Sequence, residues 1–372
     1  MKPHLLDQTP AEWEIGNGPS YQREILSRWV FAKHAPSFDQ MTSLPLSLRR
    51  DLADRYRLRS LRVTRRVETT DGVQKLLWEL EGGGAVESVL IPSDPDTGSG
   101  RLTLCVSSQV GCAYRCAFCA SGLLGFRRNL STAEIVEQFL QAEEIGGRRI
   151  DNLVFMGMGE PLANWDSLVR SLRFLTAPWG FAISPRRITV STSGLVPEIR
   201  RLAEEPLGVE LAVSLHAASD ALRSRLMPIN RKYPLSSLLE ACEEYSRKKR
   251  RRITLEYILL AGVNDSDEEA ARLGKIARRL RAKINLIPYN RVESLPWDRP
   301  DSAGIDRFER VLQENGCRVT VRRRKGEEIF AACGQLRLVA VPDAGAGAAH
   351  PSSVASPLRL PHLLLGDPRE GR

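Results

Sequence analysis

The stretch that decides the fold is GCAYRCAFC, residues 111–119, whose cysteines have the spacing Cys-x3-Cys-x2-Cys. Thiolates suit iron–sulfur clusters, and a four-iron cluster with three protein ligands keeps one iron open to another ligand. A structural zinc site would need a fourth protein ligand, which no nearby Cys or His provides. Cysteines that merely pack have no reason to cluster so closely. We therefore predict that Cys112, Cys116 and Cys119 hold a 4Fe-4S cluster.

This triplet resembles the signature of the radical S-adenosyl-L-methionine (SAM) enzymes. The resemblance implies that the open iron binds the amino and carboxylate groups of SAM. It also implies that one electron from the cluster cleaves SAM to a 5'-deoxyadenosyl radical. The expected cofactors are thus the cluster and SAM.

Composition is consistent with a cytoplasmic enzyme. The 372 residues include seven cysteines, and the polar start MKPHLLDQTPAEWE does not resemble a secretory signal, so a disulfide-stapled secreted domain is not expected. No apolar run approaches the roughly 18 residues that span a bilayer, and no membrane partner is expected. The net charge of +9 favours a polyanionic partner.

Short apolar segments alternate with helical patterns from about residue 100. The predicted strands are Leu102–Val106, Asn152–Met156, Arg187–Ser191, Val209–Leu215, Ile253–Leu259 and Ile284–Ile287. A helix is predicted over Thr132–Ile145, with Ser131 as its N-cap and Glu134 completing a capping box. Such alternation indicates an α/β fold with parallel strands but does not separate one barrel from two sheets. The radical SAM resemblance favours a partial (βα)6 barrel.

Small polar motifs follow the predicted strands at their carboxyl ends, where barrel enzymes place their chemistry. They are Gly157–Pro161, Ser191–Gly194, Ser214–His216 and Pro288–Asn290. Alone, the first is more often an ordinary glycine-rich turn, and a single histidine is more often structural. Together the motifs predict a ligand cradle in which Glu160 accepts from a cationic ammonium group.

Three further segments narrow the resemblance to one family. They are Cys105–Cys112, Gly125–Leu130 and Ala331–Leu336, and together they resemble the RlmN family of dual-specificity RNA methyltransferases. The match runs from about Pro19 to about residue 340. Family positions for SAM binding correspond to Gly159, Glu160, Ser191, Ser214, Leu215, His216 and Asn290.

The resemblance implies methylation of adenosine carbon 2, both in 23S rRNA at the peptidyl-transferase centre and at position 37 of tRNA. One SAM methylates Cys333 and a second is cleaved, so that the methylene radical on Cys333 adds to the adenine. Cys105 then resolves the protein–RNA adduct, forming a disulfide with Cys333, and Glu87 is the proton acceptor. The resemblance also implies two partners, an electron donor such as flavodoxin or ferredoxin and a thiol reductant. The protein itself is expected to be a monomer.

We predict three regions along the chain. Residues 1–95 form an N-terminal helical/β accessory domain that engages RNA, residues 96–341 form the barrel with the catalytic-cysteine segment, and residues 342–372 form a flexible tail. Within the first region, helices are expected around Tyr21–His34 and Leu46–Tyr56, and strands over Leu61–Glu68 and Val73–Glu79. Two basic runs, at 247–252 and 322–325, are either solvated surface or phosphate contacts, and we interpret them as RNA contacts.

Two other functions stay open. A Cfr-like enzyme would use the same cysteines to methylate carbon 8 of the ribosomal adenosine, although Gly159–Leu162 and the N-terminal match favour RlmN. A non-catalytic iron–sulfur protein that binds RNA or senses redox state would bind RNA without cleaving SAM. The presence of both Cys105 and Cys333 argues against it.

Overall fold

The computed structural model describes residues 2–15, 20–93, 100–292, 294–322 and 335–336. The helices are α1 Tyr21–Phe31, α2 Leu46–Arg55, α3 Ala120–Leu123, α4 Thr132–Gly146, α5 Trp165–Thr176, α6 Val196–Glu204, α7 Asp220–Leu226, α8 Leu235–Lys249, α9 Asp267–Leu280 and α10 Ser302–Glu314. The strands are β1 Leu61–Glu68, β2 Gln74–Leu80, β3 Ala85–Pro92, β4 Leu102–Cys105, β5 Gln109–Gly111, β6 Phe126–Asn129, β7 Asn152–Phe155, β8 Ile188–Thr192, β9 Glu210–Ser214, β10 Thr254–Leu259, β11 Lys283–Pro288 and β12 Arg318–Val321.

Ten of these strands form one sheet in the order β1-β2-β3-β4-β7-β8-β9-β10-β11-β12. Within this sheet, the seven strands β4, β7, β8, β9, β10, β11 and β12 pair in parallel. The four strands β1, β2, β3 and β4 pair antiparallel. Helices connect successive parallel strands, so the carboxyl ends of those strands share one edge of the sheet. The short strands β5 and β6 form a separate hairpin between β4 and α4.

The predicted α/β fold with a large parallel sheet is confirmed. All six predicted barrel strands are present, with ends that differ by one residue at most, and α4 has the predicted capping box. The prediction omitted β12, which adds a seventh parallel strand at the sheet edge. The strand has only four residues, RVTV, and its side chains are at most partly buried. So short a segment has too little periodicity to be distinguished from a loop.

The N-terminal strands continue the barrel sheet. The accessory helices and strands lie close to their predicted bounds, but β3 was not predicted, and it joins the two parts because Val89 pairs with Cys105 of β4. Residues Met1–Val339 form one compact unit; the other, Ala340–Arg372, lies outside the described residues, as does the predicted boundary at residue 95. The division into accessory domain, barrel and tail stays a prediction.

A buried carboxylate fastens the N-terminal region to α4. Glu137 of α4 accepts hydrogen bonds from the backbone N–H and the hydroxyl of Ser60, and it lies 2.9 Å from His4 Nε2. Burial alone would raise the pKa of Glu137, but the hydrogen bonds from His4 and Ser60 hold it below its usual value. This region is therefore held to the barrel by a polar network as well as by the sheet.

Among the described helices, none has both the length and the apolar composition needed to cross a membrane.

Candidate active site

A cavity opens at the carboxyl edge of the parallel strands. The cysteine loop and the strand ends all contribute to its wall. Its lining includes Cys112, Tyr114, Cys116, Phe118, Cys119, Met156, Gly157, Gly159, Glu160, Ser191, Thr192, Ser193, Ser214, His216, Met227 and Glu256. Three of the four predicted motifs thus meet the cysteine loop at one site, whereas no residue of Pro288–Asn290 lines the cavity.

The β5–β6 hairpin positions the first cysteine. Gly111 has φ +75°, and a Cβ there would lie 1.7 Å from the carbonyl oxygen of Gly125, so only glycine permits this approach. The backbone N–H of Cys112 donates to the same carbonyl at 3.1 Å. The start of the cysteine loop is therefore fixed against the opposite strand.

The rest of the loop is held from two sides. The N–H of Cys119 donates to the carbonyl of Cys116 at 3.1 Å, which turns the chain into α3. The N–H of Ala117 donates to Leu226, and its carbonyl accepts from the Trp297 indole at 2.7 Å. These contacts keep Cys116 and Cys119 on the cavity wall.

The three cysteines of the loop present soft sulfur donors to the cavity. Desolvation raises the pKa of Cys112 to about 12 and raises the pKa of Cys116 well above its usual value. Iron binds thiolates, so loading the site must displace these protons. The soft donor set fits a 4Fe-4S cluster.

Glu160 presents a buried carboxylate to the cavity. One of its oxygens accepts from the N–H of Ser193 at 2.6 Å and the other from Leu162 at 3.1 Å. Burial raises its pKa against these hydrogen bonds, and no Lys or Arg of the described chain forms an ion pair with it. Gly159 has φ +102°, and a Cβ there would lie 2.6 Å from Gln109 Cβ. The carboxylate is thus oriented to receive a cationic group of a ligand, as predicted for SAM.

His216 is held in one tautomer at the end of β9. Its Nδ1 accepts from the N–H of Ile258 at 3.0 Å, and burial lowers its pKa to about 3. The neutral ring therefore carries its proton on Nε2, which makes that atom a hydrogen-bond donor. The ring also packs edge-on against Phe118 of the cysteine loop, with centroids 4.7 Å apart.

The other predicted SAM positions divide into two groups. Ser191 and Ser214 line the cavity with Gly159, Glu160 and His216. Leu215 and Asn290 are buried beside these strand ends but do not line it. The carbonyl of Leu215 accepts from Arg223. The structure thus brings five of the seven residues to one wall, and all seven remain predictions as SAM contacts.

Two buried charged residues at or beside the cavity wall escaped the sequence analysis. Arg223 of α7 is fully buried, and its guanidinium donates to the carbonyls of Ser193, Ser214 and Leu215. Nothing in the helix sequence distinguishes it from an exposed arginine. Glu256 lines the cavity and accepts from Asn285 at 2.7 Å, and burial raises its pKa. A lone acid within an apolar strand was a signal that would have identified it.

The predicted catalytic residues outside this wall have different surroundings. Cys105 is buried at the carboxyl end of β4, and Glu87 is buried on the neighbouring strand β3. The hydroxyl of Ser107 donates to the Glu87 carbonyl at 2.6 Å, and Lys75 Nζ lies 3.0 Å from the carboxylate. Cys333 lies outside the described residues.

The structure separates the first basic run from the cavity. Residues 247–252 end α8 and precede β10, so they lie at the edge where the parallel strands begin, opposite the cavity. Lys248 contacts Glu204 and Glu244, Lys249 contacts the carbonyl of Glu205, and Arg251 contacts Glu210. These ion pairs and the distance from the cavity favour a solvated surface for this run, and its interpretation as an RNA contact stays an untested prediction. Of the second run, only Arg322 is described.

Comparison with known proteins gives a consistent result. Residues 106–274 match the family model of the radical SAM superfamily. The chain is 49% identical over 328 residues to a probable dual-specificity RNA methyltransferase RlmN of Akkermansia muciniphila, covering 87% of this chain and 91% of that protein. It is 48% identical over 328 residues to the dual-specificity RNA methyltransferase RlmN of Syntrophobacter fumaroxidans, covering 87% and 94%.

A solved structure supports the same relationship. The crystal structure of a radical SAM methyltransferase from Sphaerobacter thermophilus has 45% sequence identity and a TM-score of 0.85. The match covers 90% of this chain and 99% of that one, so the similarity includes the N-terminal region as well as the barrel.

Proposed function

Because the chain belongs to the RlmN family of radical SAM methyltransferases, we propose that it methylates carbon 2 of adenosine in 23S rRNA and at position 37 of tRNA. The observation that carries this proposal is the meeting of Cys112, Cys116 and Cys119 with Glu160 and His216 on one cavity wall. A cluster ligand set beside a buried carboxylate supports a site for a cationic amino-acid cofactor.

These residues would bind both the cluster and SAM. Cys112, Cys116 and Cys119 would hold the 4Fe-4S cluster through their thiolates, and Glu160 would accept from the SAM ammonium. When bound, the cluster supplies the electron that cleaves SAM reductively to a carbon-centred radical. Ser191, Ser214 and the His216 Nε2–H then offer polar contacts to the rest of SAM. The apolar lining, which includes Phe118 and Met227, excludes water that would quench reactive species.

We expect the methyl group to pass through Cys333. Carbon 2 of adenine is electrophilic, so it does not attack the methyl group of SAM directly, and a methylene radical on the Cys333 sulfur would add to it instead. Two described residues that follow Cys333 in the chain contact α3 and the segment after β11. The carbonyl of Leu336 accepts from Ser121 of α3 at 2.7 Å, and Gln335 Nε2 donates to the carbonyl of Arg291 at 3.0 Å.

Cys105 and Glu87 would complete the reaction. Glu87 would accept the proton that leaves carbon 2, and the Cys105 thiolate would attack the Cys333 sulfur. That attack breaks the bond between sulfur and the methylene carbon and forms a disulfide, while the methylene carbon takes a proton to become the methyl group. The unpaired electron of the adduct must leave to a one-electron acceptor, such as the oxidised form of the electron carrier. A thiol reductant must then restore both thiols before the next turnover.

The remaining partners follow from this chemistry. A one-electron donor such as flavodoxin or ferredoxin is needed to reduce the cluster. We expect the protein to act as a monomer in the cytoplasm, where its RNA substrates are found, with the target adenine taken out of its stack.

The test is the identity of the product. Cluster-loaded protein is incubated anaerobically with SAM, reductant and either 23S rRNA or tRNA, and nucleosides are identified by mass spectrometry. We expect 2-methyladenosine from the native protein and none from Cys333→Ala, which should still cleave SAM. An 8-methyladenosine product would instead indicate Cfr-like chemistry. RNA binding by cluster-loaded protein without any methylated adenosine would contradict an enzymatic role.

A further inference from the structure

An exposed apolar patch lies immediately beside the cysteine loop. Leu123 is 50% exposed, Leu124 is 41% exposed and Phe126 is 46% exposed. Three of the six exposed large hydrophobic residues of the described chain thus fall within four consecutive positions, and the others, Tyr21, Leu46 and Trp179, are far away in sequence. Single exposed apolar residues are ordinary, but a contiguous group usually marks an interaction site.

The patch is attached directly to the predicted cluster ligands. Leu123 ends α3, which begins one residue after Cys119. Phe126 pairs with Gly111, the residue before Cys112. These three side chains therefore form the outer surface of the segment whose inner surface carries the cluster thiols.

Two exposed cations adjoin these apolar residues in the chain or in the fold. Arg115 and Arg127 are exposed, and neither guanidinium is hydrogen-bonded or ion-paired to any residue of the described chain. Arg115 adjoins α3, because a Cβ on Gly122 would lie 3.1 Å from Arg115 Cα. By contrast, the adjacent Arg128 pairs with Glu134 at 2.7 Å. Arg115 and Arg127 thus carry positive charges that no ion pair within the described chain compensates.

We propose that Leu123, Leu124 and Phe126, with Arg115 and Arg127, form the docking surface for an acidic electron-carrier protein of the flavodoxin or ferredoxin class. This inference rests on the proposed function, which requires a reduced cluster. The reduced carrier loses one electron and the cluster gains it, and no bond forms or breaks between the two proteins. Docking at this surface would bring the carrier's redox group close to the cysteine loop, because α3 begins one residue after Cys119.

The composition of the patch favours a protein over RNA. Nucleic-acid interfaces are polar and strongly cationic, and their apolar contacts are aromatic rings that stack on bases. Two exposed leucines offer neither stacking nor hydrogen bonds. A small apolar centre with an arginine rim is typical of protein interfaces, and charge complementarity speeds their association.

The test compares two reductants on the cluster-loaded full chain. Leu124→Asp and Arg127→Glu are measured beside Leu46→Asp, which places the same charge on an equally exposed leucine of α2. The readouts are SAM cleavage driven by reduced flavodoxin, SAM cleavage driven by dithionite, and the Kd values for flavodoxin and for tRNA. We expect both patch variants to lose about tenfold in flavodoxin affinity and flavodoxin-driven rate at low salt, with dithionite-driven cleavage and tRNA affinity unchanged.

Other outcomes are equally decisive. Native flavodoxin affinity and rate in both patch variants would overturn the proposal, and a selective loss of tRNA affinity would assign the surface to RNA. Equal losses in Leu46→Asp would also overturn it, since the effect would then be non-specific charge repulsion. If the native protein cleaves no SAM with either reductant, the proposed function fails, and flavodoxin affinity alone decides whether the patch is a docking surface.

Discussion

Lys75 Nζ lies 3.0 Å from a carboxylate oxygen of Glu87, and the two side chains are only 5% and 2% exposed. They occupy adjacent antiparallel strands, β2 and β3, next to the strand that ends in Cys105. Placing two charges in a protein interior costs considerable desolvation free energy, so such a pair is weak evidence for a purely stabilising role. We infer that Lys75 positions Glu87, the proposed proton acceptor.

Removal of Lys75 alone should be strongly destabilising. Lys75→Met removes the ammonium group that lies 3.0 Å from the buried Glu87 carboxylate, and we expect a loss of about 3–5 kcal/mol in the free energy of unfolding, measured in urea. The double variant Lys75→Met/Glu87→Gln should recover most of that loss because neither charge of the pair is then buried. A double variant as unstable as the single one would contradict the ion-pair account. In the catalytic assay, Glu87→Gln should cleave SAM but form no 2-methyladenosine.

His216 should make folding less favourable in acid. Its folded pKa of about 3 lies below the ordinary value near 6.5, so both states are neutral above that value. As the pH falls below about 6.5, only the unfolded state takes the proton, and stability falls by about 1.4 kcal/mol per unit. His216→Asn tolerates the local φ of +57° and removes this titration. Unfolding free energies at pH 7, 6 and 5 should diverge in favour of the variant; parallel curves would disprove the assignment.

The close approach at Gly111 should be essential for cluster loading. Gly111→Ala combines a left-handed backbone with a Cβ only 1.7 Å from a carbonyl oxygen, so the hairpin must open and Cys112 must move. Gly262→Ala is the matched control, because Gly262 has φ +67° and open space, and should cost only about 1–2 kcal/mol. Iron content per chain after anaerobic reconstitution should fall for Gly111→Ala alone. Equal iron content in both variants would refute this explanation.

Arg223 should stabilise the conformation of the strand ends that line the cavity. Arg223→Met removes hydrogen bonds to three carbonyls at the ends of β8 and β9, leaving those buried acceptors unpaired. Arg225→Met on the same helix is the control, since Arg225 is exposed. We expect weaker SAM binding and a lower unfolding midpoint only for Arg223→Met. If SAM affinity is unchanged, the strand ends do not depend on this guanidinium.

The two basic runs should differ in RNA binding. Changing Arg323, Arg324 and Lys325 to Gln should weaken tRNA binding and reduce the slope of log K against log salt by about 0.7 for each lost phosphate contact. Changing the exposed Arg247, Arg250 and Arg252 to Gln should alter neither quantity, because they lie at the edge opposite the cavity. Loss of tRNA affinity in the variant of Arg247, Arg250 and Arg252 would instead show that RNA binds at that edge.

Local patterns predicted a large part of the architecture. Alternating apolar segments located six barrel strands, and Ser131 with Glu134 located the start of α4, because hydrogen bonding and periodicity act over only a few residues. The strand β3 was not predicted, although its residues Val86 to Ile91 are largely apolar, because Glu87 and Ser88 interrupt that pattern. Their burial depends on Lys75 and other groups that are distant in sequence.

By itself, the sequence determined the chemistry class. The spacing of Cys112, Cys116 and Cys119 limits the ligands they suit, and the family motifs around Cys105 and Cys333 carry the reaction type. Contacts in the folded protein determine which polar groups share the cavity with those thiols. They also bury Arg223 in the protein interior and place residues 247–252 at the opposite edge of the sheet. The reason is physical: ligand preference depends on residue type and spacing, whereas burial, pKa and charge placement depend on contacts that form only when distant segments pack together.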